Sequence, residues 1–161
     1  MATNSAQRSA EPLQPGARAP DFTLSATPDQ KFTLSELDAP AVLIFYPGDW
    51  SPVCSDELSM FEAAAGMFGR HGAQLLGISV DSAWSHLAFG QNRNLSFPLL
   101  ADFEPKGEVA RDYGVYRHQD GTAERALFVL DRAGKVAWSH VSPVAVSPGV
   151  DGALQAVEEL S

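Results

Sequence analysis

The chain has one cysteine, Cys54, in 161 residues. A lone thiol cannot close an intrachain disulfide, and such sparing cysteine use fits a reducing compartment better than secretion. Basic side chains are scarce as well. Eleven Lys and Arg stand against 20 Asp and Glu, for a formal net charge of −9, which would repel nucleic-acid phosphates. No apolar run approaches the roughly 20 residues needed to span a bilayer. Met1 to Pro20 lack the continuous apolar stretch of a signal peptide, and residues 1–15 are expected to form a flexible arm. These absences lead us to expect a soluble, cytoplasmic protein with neither nucleic-acid nor membrane partners. The histidines, His71, His86, His118 and His140, are scattered and give no metal-ligand spacing with one cysteine, so no metal is expected.

What is present suits one globular domain over 16–161, since 45 % of the residues are hydrophobic. Asp21-Phe22-Thr23-Leu24 and Lys31-Phe32-Thr33-Leu34 alternate around Pro28-Asp29, which predicts a β-hairpin. Val42 to Tyr46 reads as a buried strand, and Pro52 to about Gly69 as a helix with Leu58, Phe61, Ala65 and Phe68 on its core-facing stripe. A second strand, Gln74 to Val80, leads into a helix from Ala83 to about Arg93. Phe97 to Leu100 is a short apolar piece, and Lys106 to Tyr113 a helix stopped by Gly114. Arg125 to Leu130 and Lys135 to Val141 flank a hairpin turn, and Val150 to Leu160 closes the chain as an amphipathic helix. This order calls for an α/β fold of the thioredoxin layout, a central mixed sheet flanked by helices.

Cys54 sits where this order builds a site. Ser51-Pro52 is a helix-start signal, because Ser is a good N-cap and Pro is tolerated at the first helical position. Cys54 is then the third helical residue, among amide N–H groups without intrahelical partners and at the positive end of the helix dipole. Both favour a thiolate over a thiol, which makes the sulfur a candidate nucleophile. A buried structural thiol is the alternative, although inert cysteines favour apolar strand or helix interiors. As a nucleophile the sulfur should be open to solvent.

Pro47-x-x-x-Ser51-x-x-Cys54 resembles the signature of the peroxiredoxins, and the resemblance runs from about Gly16 to the last helix. Ala19-Pro20-Asp21-Phe22, Phe45-Tyr46-Pro47, Phe97-Pro98-Leu99-Leu100-Ala101-Asp102, Tyr113-Gly114-Val115 and Arg125-Ala126-Leu127-Phe128 are similar to other family segments. The likeness is greatest to the single-cysteine AhpE type, near the bacterioferritin comigratory group. It implies a thiol-dependent peroxidase acting on hydrogen peroxide, alkyl hydroperoxides or peroxynitrite, without metal, haem or flavin. Cys54 would attack the peroxide. Ser51, Arg125 and the backbone around Val53 and Cys54 would hold the O–O bond in line and stabilise the leaving oxygen. Pro47 would shield the sulfur, Trp50 would lie beside the substrate, and Glu57 matches an acid that orients the arginine. Each has a plainer reading: Ser51 as a cap, Arg125 as a surface ion pair, Pro47 as a turn residue, Glu57 as a carboxylate favoured in an early helical turn.

Relatives with a second, resolving cysteine carry it five residues after the first or near the C-terminus. Here Ser59 holds the former position, and Val141 to Gly149 contains no cysteine. A Cys54 sulfenic acid would therefore be resolved by an external thiol: a small thiol, a glutaredoxin- or mycoredoxin-like protein, or thioredoxin. The resemblance also implies a homodimer, with the edges near Trp50 as its surface. Two competing readings use the same cysteine. A thioredoxin-type thiol–disulfide oxidoreductase would need an attacking cysteine where Ser51 stands. A non-catalytic peroxide sensor or relay needs no turnover.

Overall fold

The computed structural model describes residues 11–161. Thr23–Thr27 (β1) and Gln30–Thr33 (β2) form the expected hairpin, and a single 3-10 turn, Leu34–Glu36, leads to Ala41–Phe45 (β3). Pro52–Ala63 (α1), Ala65–Arg70 (α2), Gln74–Ser79 (β4), Ala83–Arg93 (α3), Leu99–Ala101 (β5) and Glu108–Asp112 (α4) follow. A small ladder of Tyr116–Arg117 (β6) and Thr122–Ala123 (β7), not expected from the sequence, precedes Arg125–Leu130 (β8), Val136–Ser142 (β9) and Asp151–Glu159 (α5).

Seven strands make one mixed sheet in the order β2-β1-β5-β4-β3-β8-β9. β3 lies inside it, parallel to β4 at the sheet's centre and antiparallel to β8, with Phe45 opposite Ala126 at the end nearest Cys54. Both faces of β3 and β8 are covered, which is why their sequences, AVLIF and RALFVL, are apolar runs with little alternation. On one face Phe22, Phe45, Tyr113 and Phe128 pack edge to ring. On the other, α1, α2, α3 and α5 bury Leu58, Phe61, Phe68, Phe89 and Val157 against Ile44, Tyr46 and Leu127. This is the thioredoxin-like α/β arrangement expected from the sequence, with Cys54 on the second face.

Three expectations need correction. The helix from Pro52 breaks at Ala64 (φ −93°, ψ 0°), whose N–H is shared between the Met60 and Phe61 carbonyls. Gly66 and Gly69 beyond it are poor helix formers, yet Leu58, Phe61 and Phe68 stay on the core. α4 is shorter than predicted, starting where the Asp102 carboxylate accepts the Val109 and Ala110 N–H groups at 3.0 and 2.9 Å. Of the expected arm, residues 1–10 lie outside the described ones, but the remainder is tied down. The Leu13 N–H donates to the Tyr113 carbonyl at 3.2 Å and its side chain packs on the core. Gly114, at φ +74°, ends α4 and lets this segment pass, since a side chain there would strike the Glu11 backbone. No helix of the described residues is long and apolar enough to cross a membrane.

Candidate active site

The turn after β3 delivers the chain to α1. Ser51 is the N-cap, in extended conformation, and its hydroxyl accepts the Cys54 N–H at 3.4 Å; Pro52 is the first helical residue. Cys54 is thus the third helical residue, as predicted. Its amide faces the Ser51 hydroxyl, so that N–H supports the cap. Val53 and Pro47 are partly buried on either side of the turn, and Trp50 is half exposed at its tip.

Arg125 comes from the start of β8, next to β3 in the sheet, and is only 1 % exposed. Its Nη2 lies 3.3 Å from Cys54 Sγ and donates to it. The rest of the guanidinium is fixed. Nη1 donates to Glu57 Oε1 at 2.8 Å, while Nε and Nη2 donate to the Val144 carbonyl at 2.8 and 2.6 Å. The surface ion pair considered for Arg125 is excluded by this burial. Glu57, one turn after Cys54 on α1, is the acid that orients it, while Val144 enters from the segment after β9 through its backbone, which no side-chain pattern announces.

Burial dominates the electrostatics. It pushes the Glu57 carboxyl up to about 7, against the opposing pull of Arg125. Glu57 Oε2 and the Ser55 hydroxyl are buried without a hydrogen-bond partner. The sulfur departs from expectation in one respect: Cys54 has no exposed surface, where a solvent-open thiol was expected. It lies within the second-face core cluster, which includes Ile44, Leu58 and Leu127, with Arg125 beside it. A fixed guanidinium beside a helix-terminal sulfur can steer a polar O–O bond and stabilise charge on its departing oxygen.

Sequence spacing also missed a group formed by folding. Asp49, Asp81 and His86 bring ligand-type atoms within 4.8 Å of one another. All three are already engaged in hydrogen bonds within the protein. No histidine among the described residues bonds Cys54, so the sulfur's polar neighbour is Arg125.

The chain is similar in sequence and fold to known proteins. The chain is 35 % identical to a chloroplastic 2-cysteine peroxiredoxin of Chattonella marina, covering 92 % of this chain and 80 % of that one. It is 36 % identical to mouse peroxiredoxin-2, over 90 % of this chain and 78 % of the relative. The crystal structure of peroxidoxin BcpB from Mycobacterium tuberculosis superposes with a TM-score of 0.84 at 31 % identity, covering 92 % of this chain and 99 % of that one. The AhpC/TSA family profile matches residues 15–139, a span that holds both Cys54 and the arginine beside it. The chain accordingly belongs to the AhpC/TSA family, the peroxiredoxins, which are thiol peroxidases.

Proposed function

We propose that this peroxiredoxin works by a one-cysteine mechanism, as an AhpE- or bacterioferritin-comigratory-like member of the family. The observation that carries the reading is the 3.3 Å contact between Arg125 Nη2 and Cys54 Sγ at the start of α1, in a chain with no second cysteine. The Cys54 thiolate attacks the terminal peroxide oxygen. The O–O bond breaks; the leaving oxygen takes up a proton to depart as water or alcohol, or leaves from peroxynitrous acid as the nitrite anion, and Cys54 becomes sulfenic acid. A first external thiol condenses with the sulfenic acid, releasing water and forming a mixed disulfide. A second thiol then returns Cys54 to its reduced state. Arg125 steers and stabilises the leaving oxygen, Ser51 caps the helix and lines the approach, and Pro47, Val53 and Trp50 shape its wall.

The external reductant is a small thiol, a glutaredoxin- or mycoredoxin-like protein or thioredoxin, in the cytoplasm. Trp50 and Trp84, 50 % and 71 % exposed, fit the surface of a homodimer. Sedimentation of an ideal monomer at micromolar concentration would remove that assembly. The decisive experiment mixes reduced protein with one equivalent of hydrogen peroxide and follows Cys54 by intact mass, then offers each thiol system in turn. A gain of one oxygen, reversed with sustained turnover by one of the thiols, is expected. Oxidation without turnover would leave a sensor, and no oxidation would end the peroxidase reading.

A further inference from the structure

We propose that His86 and Asp49 are positioning residues for Cys54, forming a clamp from α3 that holds the turn before the Cys54 helix in its left-handed conformation. The inference rests on the peroxidase reading for its kinetic arm and on geometry alone for its access arm.

The turn needs holding. Trp50 has φ +71°, a conformation disfavoured for any residue with a side chain. Strain of this kind persists where the surroundings over-determine it, and it gathers at functional sites. The residue just before it, Asp49, is fixed through both backbone and side chain. Its N–H donates to Asp81 Oδ2 at 2.8 Å, and that oxygen also accepts the Ser79 hydroxyl at 2.6 Å. Its carboxylate is wholly buried and takes three donors: the Tyr46 hydroxyl at 2.7 Å, the Ser85 hydroxyl at 2.8 Å and His86 Nδ1 at 2.8 Å.

Each donor is fixed in turn. Burial and the neighbouring Asp49 hold Tyr46 well above the ordinary phenol range, so its hydroxyl stays a donor. His86 is 2 % exposed, and its other ring nitrogen, Nε2, meets the Leu100 carbonyl at 3.1 Å on β5. The Trp50 ring adds an edge-to-face contact with Phe89 of α3, centroids 5.1 Å apart. α3, through Ser85 and His86, and the residues just past β3 and β4, Tyr46 and Asp81, therefore converge on the residue before Trp50.

Trp50 leads directly into Ser51, whose hydroxyl caps the Cys54 amide. The guanidinium is held from outside the turn, by the Val144 carbonyl and by Glu57 one turn further along α1. If the turn loosens, the first turn of α1 moves while the guanidinium stays. Sulfur and guanidinium then separate, and the enclosed sulfur becomes accessible. The two effects oppose each other: reaction with peroxide slows because it needs alignment, while attack by a neutral alkylating reagent accelerates because it needs only access.

The test uses the full chain with His86→Leu, which removes both ring-nitrogen contacts at similar volume, His86→Gln, which keeps an N–H for Asp49, and Asp81→Ala, which frees the Asp49 N–H from the periphery. Each is read for Cys54 oxidation by hydrogen peroxide, for alkylation by iodoacetamide at matched thiolate fraction, and for thermal midpoint. His86→Leu should oxidise about tenfold to a hundredfold more slowly and alkylate at least threefold faster, with His86→Gln recovering part of both and Asp81→Ala shifting both the same way. If His86→Leu proves unfolded, Asp81→Ala and His86→Gln carry the comparison. Unchanged rates, or oxidation and alkylation falling together, would overturn the clamp. If wild-type protein fails to react with peroxide, the peroxidase reading falls, while alkylation still decides the clamp.

Discussion

Glu57 meets Arg125 with only one of its two carboxylate oxygens, Oε1 to Nη1 at 2.8 Å, while Oε2 is buried without a partner. The ion pair is therefore half satisfied, and burial outweighs the arginine in setting the carboxyl's affinity for protons.

The first consequence is a pH dependence of stability. Glu57 is pushed up to about 7 in the folded protein from an ordinary value of 4.5. The folded state then binds more protons than the unfolded one between these values, and stability falls as pH rises through that window. Its contribution is complete below about 4.5 and lost above about 7. Urea unfolding of wild type and Glu57→Gln at pH 5, 6, 7 and 8 should show wild type losing on the order of 3 kcal/mol relative to the variant across that range. Parallel curves would mean that Glu57 is ionised throughout.

The cap makes a second, separable prediction. Ser51 accepts the Cys54 N–H, so Ser51→Ala should cost about 0.5 to 2 kcal/mol of stability, whereas Ser51→Thr keeps the oxygen and should cost less. Ser51→Ala should also slow Cys54 oxidation by more than Ser51→Thr does, because the proposed mechanism has the hydroxyl line the approach to the sulfur. Denaturant midpoints and stopped-flow oxidation rates on the same samples check both; equal rates in the two variants would reduce Ser51 to a cap.

Trp50 supplies a reporter. It stands on the turn that leads into the Ser51 cap, and its ring rests against Phe89. Converting the enclosed thiol to a bulkier sulfenic acid disturbs that turn, so emission from Trp50 should change with the oxidation step. The chain holds three tryptophans, Trp50, Trp84 and Trp138, so the measurement needs Trp84→Phe/Trp138→Phe protein. A signal that survives Trp50→Phe in the otherwise unaltered chain comes from elsewhere.

The particular residues show which parts of this molecule sequence could reveal. Ser51, Pro52 and Cys54 were legible because capping is local: an N-cap, a proline at the first position and a third residue are fixed by spacing alone. The strands β3 and β8 were legible because burial on both faces leaves uninterrupted apolar runs. Arg125 and Glu57 were legible only through family likeness, since 68 residues separate the two and no periodicity links them. The grip of the Val144 carbonyl on Arg125 was invisible, because every residue type carries a carbonyl. So was the Asp49–His86 contact, where a histidine that gives no ligand spacing in sequence becomes the partner of a turn aspartate after folding. The break at Ala64 escaped because the apolar stripe runs on through it.

Arg125 gives the sharpest test of the site. Removing it leaves Glu57 buried with neither oxygen partnered, and breaking one half of a buried pair typically costs about 3 to 5 kcal/mol. Arg125→Ala alone should therefore be strongly destabilised, and Arg125→Ala/Glu57→Gln should recover much of the loss, because the stranded carboxylate becomes a neutral amide. Catalysis should not recover with it. In the Glu57→Gln background, Arg125→Ala should slow oxidation by peroxide about a hundredfold to a thousandfold, the usual loss when a preorganised donor to a developing anion is deleted. Iodoacetamide alkylation, compared at matched thiolate fraction, should change far less, since it develops no charge on a departing peroxide oxygen. Equal slowing of the two reactions in the double variant would mean that the contact between Arg125 and Cys54 serves the thiolate alone and that the leaving oxygen is stabilised by another group.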